Sequence, residues 1–505
     1  MSETILNWHD YSYFPYEKEF ALREAKLAIG SNKINSSTRG IILKAICDIN
    51  SLKRLTYFSS IDTLEGRIPT QQALFETNNA QKVTTRQQTR YSSHGMHEYK
   101  GKFNPQVVRS LINILGISPG DKVLDPFCGS GTTLLECKHS GVSATGFDLN
   151  PLAIQIAKAK VDMLDVDHKK LLAEWGGLWN QFTSRRHEFQ IKKETTRTEY
   201  LKKWMPEQYF LDYELLLELC NELPEKTSNI FKVVASNRIR DFSYQDPADL
   251  RIRKRKDKVP KQNIHDILTK DFTGLLEKVI HAKKILDNNS KPVEISAYCA
   301  DSKLLVNKDK LKKNKPSFTA VITSPPYATA LPYIDTQRLS LVWFNLCGPT
   351  DIHVLDSALV GSREFNSLTK GDWMNALNNN TDKLSHYLYE YCLELQKNLG
   401  PTDGFRRQAM PPLMYRYLVD MRDIFSSLLT QVVPGGKVAM IVGYNHTVLG
   451  GKKIEIKTPD LLVEAAKNAG WELVENTPLE SYQRYGIHHK NSVAKEALIV
   501  VKNNG

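Results

Sequence analysis

Two short stretches hold residues whose types and order suit chemistry. In Asp125-Pro-Phe-Cys-Gly-Ser-Gly-Thr-Thr133 a carboxylate stands before a turn whose glycines, at 129 and 131, let backbone approach a ligand closely. In Thr323-Ser-Pro-Pro-Tyr327 two successive prolines end an apolar run and hold a hydroxyl and an aromatic ring on a rigid projecting loop. The first stretch comes after Val123 and Leu124, so it reads as a buried strand breaking into a turn that opens a helix. Open α/β sheets bind ligands at such turns, and a nucleotide-like ligand is the first expectation.

The residues around the turn narrow that ligand. There is no Gly-Lys-Ser/Thr ending to cradle a triphosphate, and the spacing is not the G-x-G-x-x-G of dinucleotide folds. Asp125 would repel a pyrophosphate but suits an ammonium group. One strand later, Ala144-Thr-Gly-Phe-Asp148 ends in an acid placed to accept both hydroxyls of a ribose. An ammonium, a ribose and no phosphate point to S-adenosylmethionine.

Taken together, Asp125-Pro-Phe-Cys-Gly-Ser-Gly-Thr132 and Thr323-Ser-Pro-Pro-Tyr327 resemble the cofactor and catalytic motifs of the amino-group DNA methyltransferases, which methylate N4 of cytosine or N6 of adenine. The resemblance covers roughly residues 94 to 165 and 295 to 345, with a looser echo from 430 onward. It implies a Rossmann-like α/β sheet with helices on both faces. It also implies a cofactor site drawn from Asp125, Pro126, Phe127, Gly129, Gly131, Thr132 and Asp148. Phe103, in the segment His94 to Gln106, is expected against the methionine end of the cofactor, and Asp301 is expected to accept from the adenine amino group.

The same resemblance makes Ser324, Pro325, Pro326 and Tyr327 the catalytic loop. An exocyclic amine is a poor nucleophile because its lone pair is delocalised into the ring. Acceptors fixed around its N–H groups, here the Ser324 hydroxyl and the Pro325 carbonyl, favour a pyramidal nitrogen and need no covalent intermediate. Tyr327 offers a flat face to a base that has left the duplex. Within the family, Ser at the first loop position is commoner in N4-cytosine enzymes and Asp in N6-adenine enzymes, so Ser324 leans to cytosine. N6-adenine methylation, methylation of transfer RNA and a non-catalytic nucleic-acid-binding role are the alternatives.

Five blocks are expected to position these residues. Residues 1–90 read as an N-terminal helical extension, with helical patterns at Phe20 to Ile29 and Thr38 to Leu55 and a polar loop carrying Lys82, Arg86 and Arg90. Residues 91–165 and 293–345 read as the core, and 416–505 as its C-terminal part, with a helix from Tyr417, a turn at Pro434-Gly435-Gly436 and strands at 437–442, 471–474 and 496–501. Residues 166–292 are too long for a connection and read as a mainly helical insert. The insert carries Asp249-Leu-Arg-Ile-Arg-Lys-Arg-Lys-Asp-Lys258, in which Arg251, Arg253, Lys254 and Arg255 are candidate phosphate contacts. A helix over Tyr333 to Trp343 offers Gln337 and Arg338 to DNA. Residues 346–415, with Gly404-Phe-Arg-Arg407, compete with the insert for target recognition.

Composition agrees with a polyanionic partner: the net charge is +12, with 41% hydrophobic and 25% charged residues, an ordinary globular balance. Double-stranded DNA is the expected partner, in a restriction-modification or related defence setting with a partner endonuclease. The seven cysteines show no C-x-x-C spacing, and His488-His489 has no further ligands nearby, so no metal site or disulfide framework is expected. The first residues lack the basic start and apolar run of a secretory signal, and no window of eighteen apolar residues occurs. A cytoplasmic, nucleoid-associated protein is the expectation.

Overall fold

A computed structural model describes residues 4–30, 34–44, 48–77, 87–286, 293–307, 316–328, 334–365, 369–480 and 496–505. The chain opens with a five-stranded antiparallel sheet of β1 (Thr4–Trp8), β2 (Ile34–Ser36), β3 (Gly40–Leu43), β4 (Phe58–Thr63) and β5 (Gly66–Pro69), in the order β2-β3-β1-β4-β5. The expected helical extension is thereby corrected. The helix Pro15–Ile29 is present, but Thr38 to Leu55 divides into β3 and a short helix, Ile49–Lys53. Ile41 and Leu43 point into the core with a period of two, and Ile-Ile favours a strand. Gly40 is required by close pairing, since a Cβ there would fall 1.8 Å from the Leu6 carbonyl oxygen.

The central sheet contains β6 (Lys122–Asp125), β7 (Ser143–Asp148), β8 (Ile295–Cys299), β9 (Phe318–Thr323) and β10 (Val432–Gly443). A hairpin of β11 (Asn445–Leu449) and β12 (Lys452–Ile456) comes next, and β13 (Glu472–Leu479) and β14 (Glu496–Lys502) complete the sheet. Its order is β13-β14-β10-β9-β6-β7-β8. The strands β6 to β10 pair in parallel, while β14 runs antiparallel to both β10 and β13. This is the Rossmann-like α/β fold expected.

Alternation along the strands supplies both faces with a core. Val123, Ala320, Ile322, Ala439 and Ile441 pack beneath the helix Pro105–Ile114 and the N-terminal unit. Leu124, Val321, Val438, Met440 and Val442 pack beneath the helices Met410–Leu429 and Thr458–Asn468. Side chains buried on both faces explain why these strands read as nearly continuous apolar runs.

Between β7 and β8, after the helix Pro151–Asp165, five helices (His168–Arg185, Thr196–Trp204, Glu207–Asn221, Glu225–Arg238 and Ile264–Ile285) form a unit whose apolar centre is continuous with Leu152, Ile156 and Met163 and with Leu339 to Trp343. Trp175 stacks on Phe272 at 4.3 Å and meets Phe231 edge-on at 4.8 Å. Short helices fill 352–408, and the helix expected from Tyr417 begins seven residues earlier, at Met410. The expected helix over 333–343 spans Arg338–Trp343. Pro434-Gly435-Gly436, read as a turn, lies within β10, where the pairing with β9 shifts register.

Candidate active site

The cofactor turn is shaped by two glycines in the left-handed region, Gly129 at φ 47° and Gly131 at φ 77°. At Gly131 a Cβ would lie 2.7 Å from the Ala157 Cβ, so close packing of turn on helix excludes a side chain. At the tip of β7, Asp148 accepts from the Gly129 N–H at 2.9 Å and the Asn150 N–H at 2.8 Å, one oxygen each. Burial pushes this carboxyl up to about 6. From below, the buried Lys160 Nζ donates to the carbonyl and hydroxyl of Ser130 at 2.9 and 3.0 Å, and burial lowers its pKa well below the ordinary lysine value.

A cavity of about 350 Å³ opens at the carboxyl edge of the sheet. Of the expected cofactor residues, Phe103, Pro126, Phe127, Gly129, Asp148 and Asp301 line it, as do all four loop residues Ser324 to Tyr327. Gly131 and Thr132 shape the turn from behind without lining it. The reading of Asp125 as an ammonium partner is corrected: it is 2% exposed and does not line the cavity. Its Oδ1 accepts from the Thr323 hydroxyl at 2.7 Å and the Phe127 N–H at 3.1 Å, and burial raises its carboxyl to about 6.

The Ser324 to Tyr327 loop, expected to be catalytic, is held at each end. Ser324 Oγ donates to the Ile441 carbonyl at 3.2 Å, which commits its proton and leaves its lone pairs as acceptors. The Pro326 carbonyl accepts from the Tyr417 hydroxyl at 3.1 Å, and the Tyr327 hydroxyl donates to Glu496 at 3.2 Å. Glu496 also lines the cavity, and burial raises its carboxyl. Tyr16, Lys102 and Glu496 are lining residues that sequence reasoning missed. Tyr16 and Glu496 belong to elements joined to the site only by the tertiary fold. Lys102 stands in the 94–106 segment already singled out.

That segment is anchored by a buried network. Glu136 Oε1 accepts from Tyr91 at 2.8 Å, His94 at 2.7 Å and His139 at 3.0 Å, while Arg109 lies 3.6 Å from the other oxygen. His94, Glu136 and His139 lie close enough to be considered as metal ligands. One carboxylate oxygen already takes three donors and a guanidinium supplies the countercharge, so the Glu136 charge is met by side chains of the fold, while His94 Nδ1 and Glu136 Oε2 are buried without a hydrogen bond. Burial lowers His94 to about 3, so it is neutral at pH 7.

The expected DNA contacts divide. Arg251, Arg253 and Lys254 are exposed; Arg253 pairs with Asp249 at 3.4 Å, and Lys254 lies over the Trp204 and Tyr244 rings. Arg255 is instead turned inward, donating to the carbonyls of Arg240 and Asp241 at 3.0 and 3.2 Å. Gln337 is corrected as a surface contact, since it is 4% exposed and accepts from Asn150. Arg338 pairs with Asp335 at 2.9 Å, and the exposed Arg90 pairs with Glu98 at 3.1 Å. Lys82, Arg86, Cys47 and His488-His489 lie outside the described residues.

Known proteins resemble the chain in the same regions. Residues 36–159 match a family model described as DNA methylase, and residues 106–278 match one described as D12 class N6 adenine-specific DNA methyltransferase. The chain is 33% identical over 122 residues to Type II methyltransferase M.MjaII of Methanocaldococcus jannaschii, covering 24% of this chain and 22% of that protein. It is 25% identical over 291 residues to Type II methyltransferase M.BsoBI of Geobacillus stearothermophilus, covering 54% and 56%. To Type II methyltransferase M.MvaI of Kocuria varians it is 24% identical over 367 residues, covering 66% and 77%. The chain thus spans less than two thirds of the length of the first two of these relatives. Both motifs meet at one cavity on a Rossmann-like sheet, and over these regions the chain is similar to amino-group DNA methyltransferases.

Proposed function

We propose that this protein methylates the exocyclic amino group of a base extruded from a specific duplex DNA site, with N4 of cytosine the favoured target. The observation that carries the reading is the convergence of Asp148 and the Ser324 to Tyr327 loop on one cavity. The residues present fit S-adenosylmethionine: Asp148 lines the cavity with acceptor capacity for a ribose, and Gly129 and the Tyr99 ring packed beside it line the same cavity. When bound, the cofactor supplies an electrophilic methyl group.

The chain's own residues then act by orientation. The lone pairs of Ser324 and the carbonyl of Pro325 receive the amine hydrogens and favour a pyramidal nitrogen. Tyr327, steadied by Glu496, gives the extruded base a stacking surface. Asp301 faces the cavity from beside β8, where it suits an adenine amino group, and Phe103 closes the other side. Exposed cations of the insert, Arg251, Arg253 and Lys254, hold phosphates without reading bases. A partner endonuclease sharing the site and a cytoplasmic setting belong to the same proposal; among the described residues no helix is long and apolar enough to cross a membrane.

N6 of adenine is the second reading, favoured by the match to the N6 adenine-specific family model. That match ends at residue 278, before Ser324, so it does not include the loop that meets the base. Incubation with duplex DNA and labelled S-adenosylmethionine, then nucleoside analysis, separates the two. N4-methylcytosine is expected. N6-methyladenine would replace the base assignment, and label in transfer RNA with none in DNA would overturn the substrate.

A further inference from the structure

Residues 400–408 form a tip with an unusual surface. Phe405 is 76% exposed, and Arg406, Arg407 and Gln408 beside it are exposed as well. The Arg406 guanidinium lies 5.7 Å from the centre of the Phe405 ring. The hairpin turn adds exposed Lys452 and Lys453, and Lys370 donates to Gln408 at 3.3 Å. Within 400–408 the one carboxylate, Asp403, is buried.

The tip is built rigidly. Asp403 accepts from the N–H groups of Gly400 at 2.9 Å and Gly450 at 2.7 Å, and pairs with Arg407 at 3.2 Å. Gly400 presses on the β11–β12 hairpin so closely that a Cβ would fall 2.8 Å from the Gly450 Cα. Both supports of the tip reach the catalytic loop. The helix Met410–Leu429 begins directly after it and bonds to Pro326 through Tyr417, while Asn445, at the start of β11, donates to the Ala328 carbonyl at 3.2 Å. The aromatic tip is thus joined to the loop through both supports.

We propose that Phe405 is a DNA wedge: its ring enters a base step beside the extruded nucleotide while Arg406 and Arg407 hold the flanking phosphates. This inference rests on the DNA reading above. A single exposed apolar side chain is ordinary, and Leu64 is exposed further still; what sets Phe405 apart is the ring of cations around it, which suits a polyanion. Apolar side chains inserted at base steps unstack them, which is what extrusion of a base requires.

The test uses the full chain, a duplex carrying the site mapped for the parent enzyme, and 2-aminopurine at the target position. Phe405→Ala should weaken duplex binding about tenfold and reduce the fluorescence rise on binding, because one stacking contact is lost. Phe405→Trp should restore both, Arg406→Gln should lower the salt dependence, and S-adenosylmethionine affinity should not change. A duplex with an abasic site opposite the target should be bound and flipped nearly as well by Phe405→Ala as by the parent. Parent-like binding and fluorescence of Phe405→Ala on the intact duplex would overturn the wedge while leaving the DNA reading in place. So would loss of self-association in sedimentation with DNA binding intact, which would make the tip a protein contact. A parent enzyme that binds no duplex DNA overturns both.

Discussion

Thr323 Oγ1 donates to Asp125 Oδ1 at 2.7 Å, bonding the end of the strand that carries the catalytic loop to the end of the strand that carries the cofactor turn. The two residues are 198 positions apart in the chain, and both are buried. Asp125 therefore aligns two functional loops from beneath.

Removing that link should disturb both loops together. Asp125→Ala leaves the Thr323 hydroxyl and the Phe127 N–H without their acceptor, a loss of about 1 to 3 kcal/mol in stability. Thr323→Val should reproduce a part of it. Thermal unfolding, cofactor titration and turnover should all worsen in Asp125→Ala. An intact melting temperature with weakened cofactor binding would instead restore a direct ligand contact.

Asp148 makes a prediction about pH. Its folded carboxyl lies at about 6 against an ordinary 3.8, so the folded ligand-free protein holds this proton more tightly than the unfolded chain. Its contribution to stability is present below pH 3.8 and is lost as pH rises through about 6. Hydroxyl donors of a ribose favour the ionised form, so cofactor affinity should rise through the same window. Asp148→Asn should weaken binding roughly ten- to a hundredfold at pH 8, where a charged hydrogen bond is lost, and flatten the pH profile. Thermal unfolding from about pH 3.5 to 8 measures the first, and cofactor titration calorimetry from about pH 5 to 8 measures the second.

The catalytic loop should separate binding from chemistry. Ser324→Ala removes an acceptor needed as the nitrogen pyramidalises, so single-turnover methyl transfer should slow while duplex binding holds. Tyr327→Ala should lose a stack worth about 1 to 3 kcal/mol with cofactor affinity unchanged. Tyr327→Phe keeps the ring and loses the bond to Glu496, so it should retain most of the activity. Equal damage from both tyrosine variants would assign the hydroxyl, not the ring, to function.

In the insert, position within the basic run should decide the outcome. Neutralising Arg251, Arg253 and Lys254 together should weaken binding to all duplex sequences alike and reduce the salt slope by about three. Arg255→Ala should lower the melting temperature instead, because its guanidinium donates to carbonyls of the fold. Binding measured from low to high salt, beside thermal melts, distinguishes the two behaviours.

The Glu136 network should behave as structure. Glu136→Leu strands His94, His139 and Arg109 in the interior, and loss of one partner from such a buried cluster costs about 3 to 5 kcal/mol. A strong chelator should leave the melting temperature of the parent unchanged. A drop with chelator, reversed by zinc, would make these residues metal ligands.

The sheet is legible in the sequence because its strands are buried on both faces, so Val123-Leu124 and Thr319 to Thr323 stand out as apolar runs closed by proline. The cofactor turn and the catalytic loop are legible because each is contiguous. Asp125 is open to misreading because a carboxylate beside a ligand turn gives no sign of which way it faces. Burial of Gln337 is hidden for the same reason: its partner, Asn150, stands 187 positions away. Lys160 beneath the cofactor turn looks like any helix lysine. The N-terminal sheet escapes sequence reasoning because a short run such as Gly40 to Leu43 fits a strand or a helix turn equally well until its partners are known.

The five-helix unit departs the sheet after β7 and returns at β8, its immediate neighbour, where Ala144 pairs with Ile295. It is joined to β7 through the helix Pro151–Asp165, and its aromatic centre lies apart from the strands. The cost of closing a loop grows only with the logarithm of its length, so the scaffold is nearly indifferent to how large this unit is. In evolutionary terms it is a cassette: exchange of this unit can replace its exposed basic surface whole, while the registers of β7 and β8, and with them Asp148 and Asp301, keep their places.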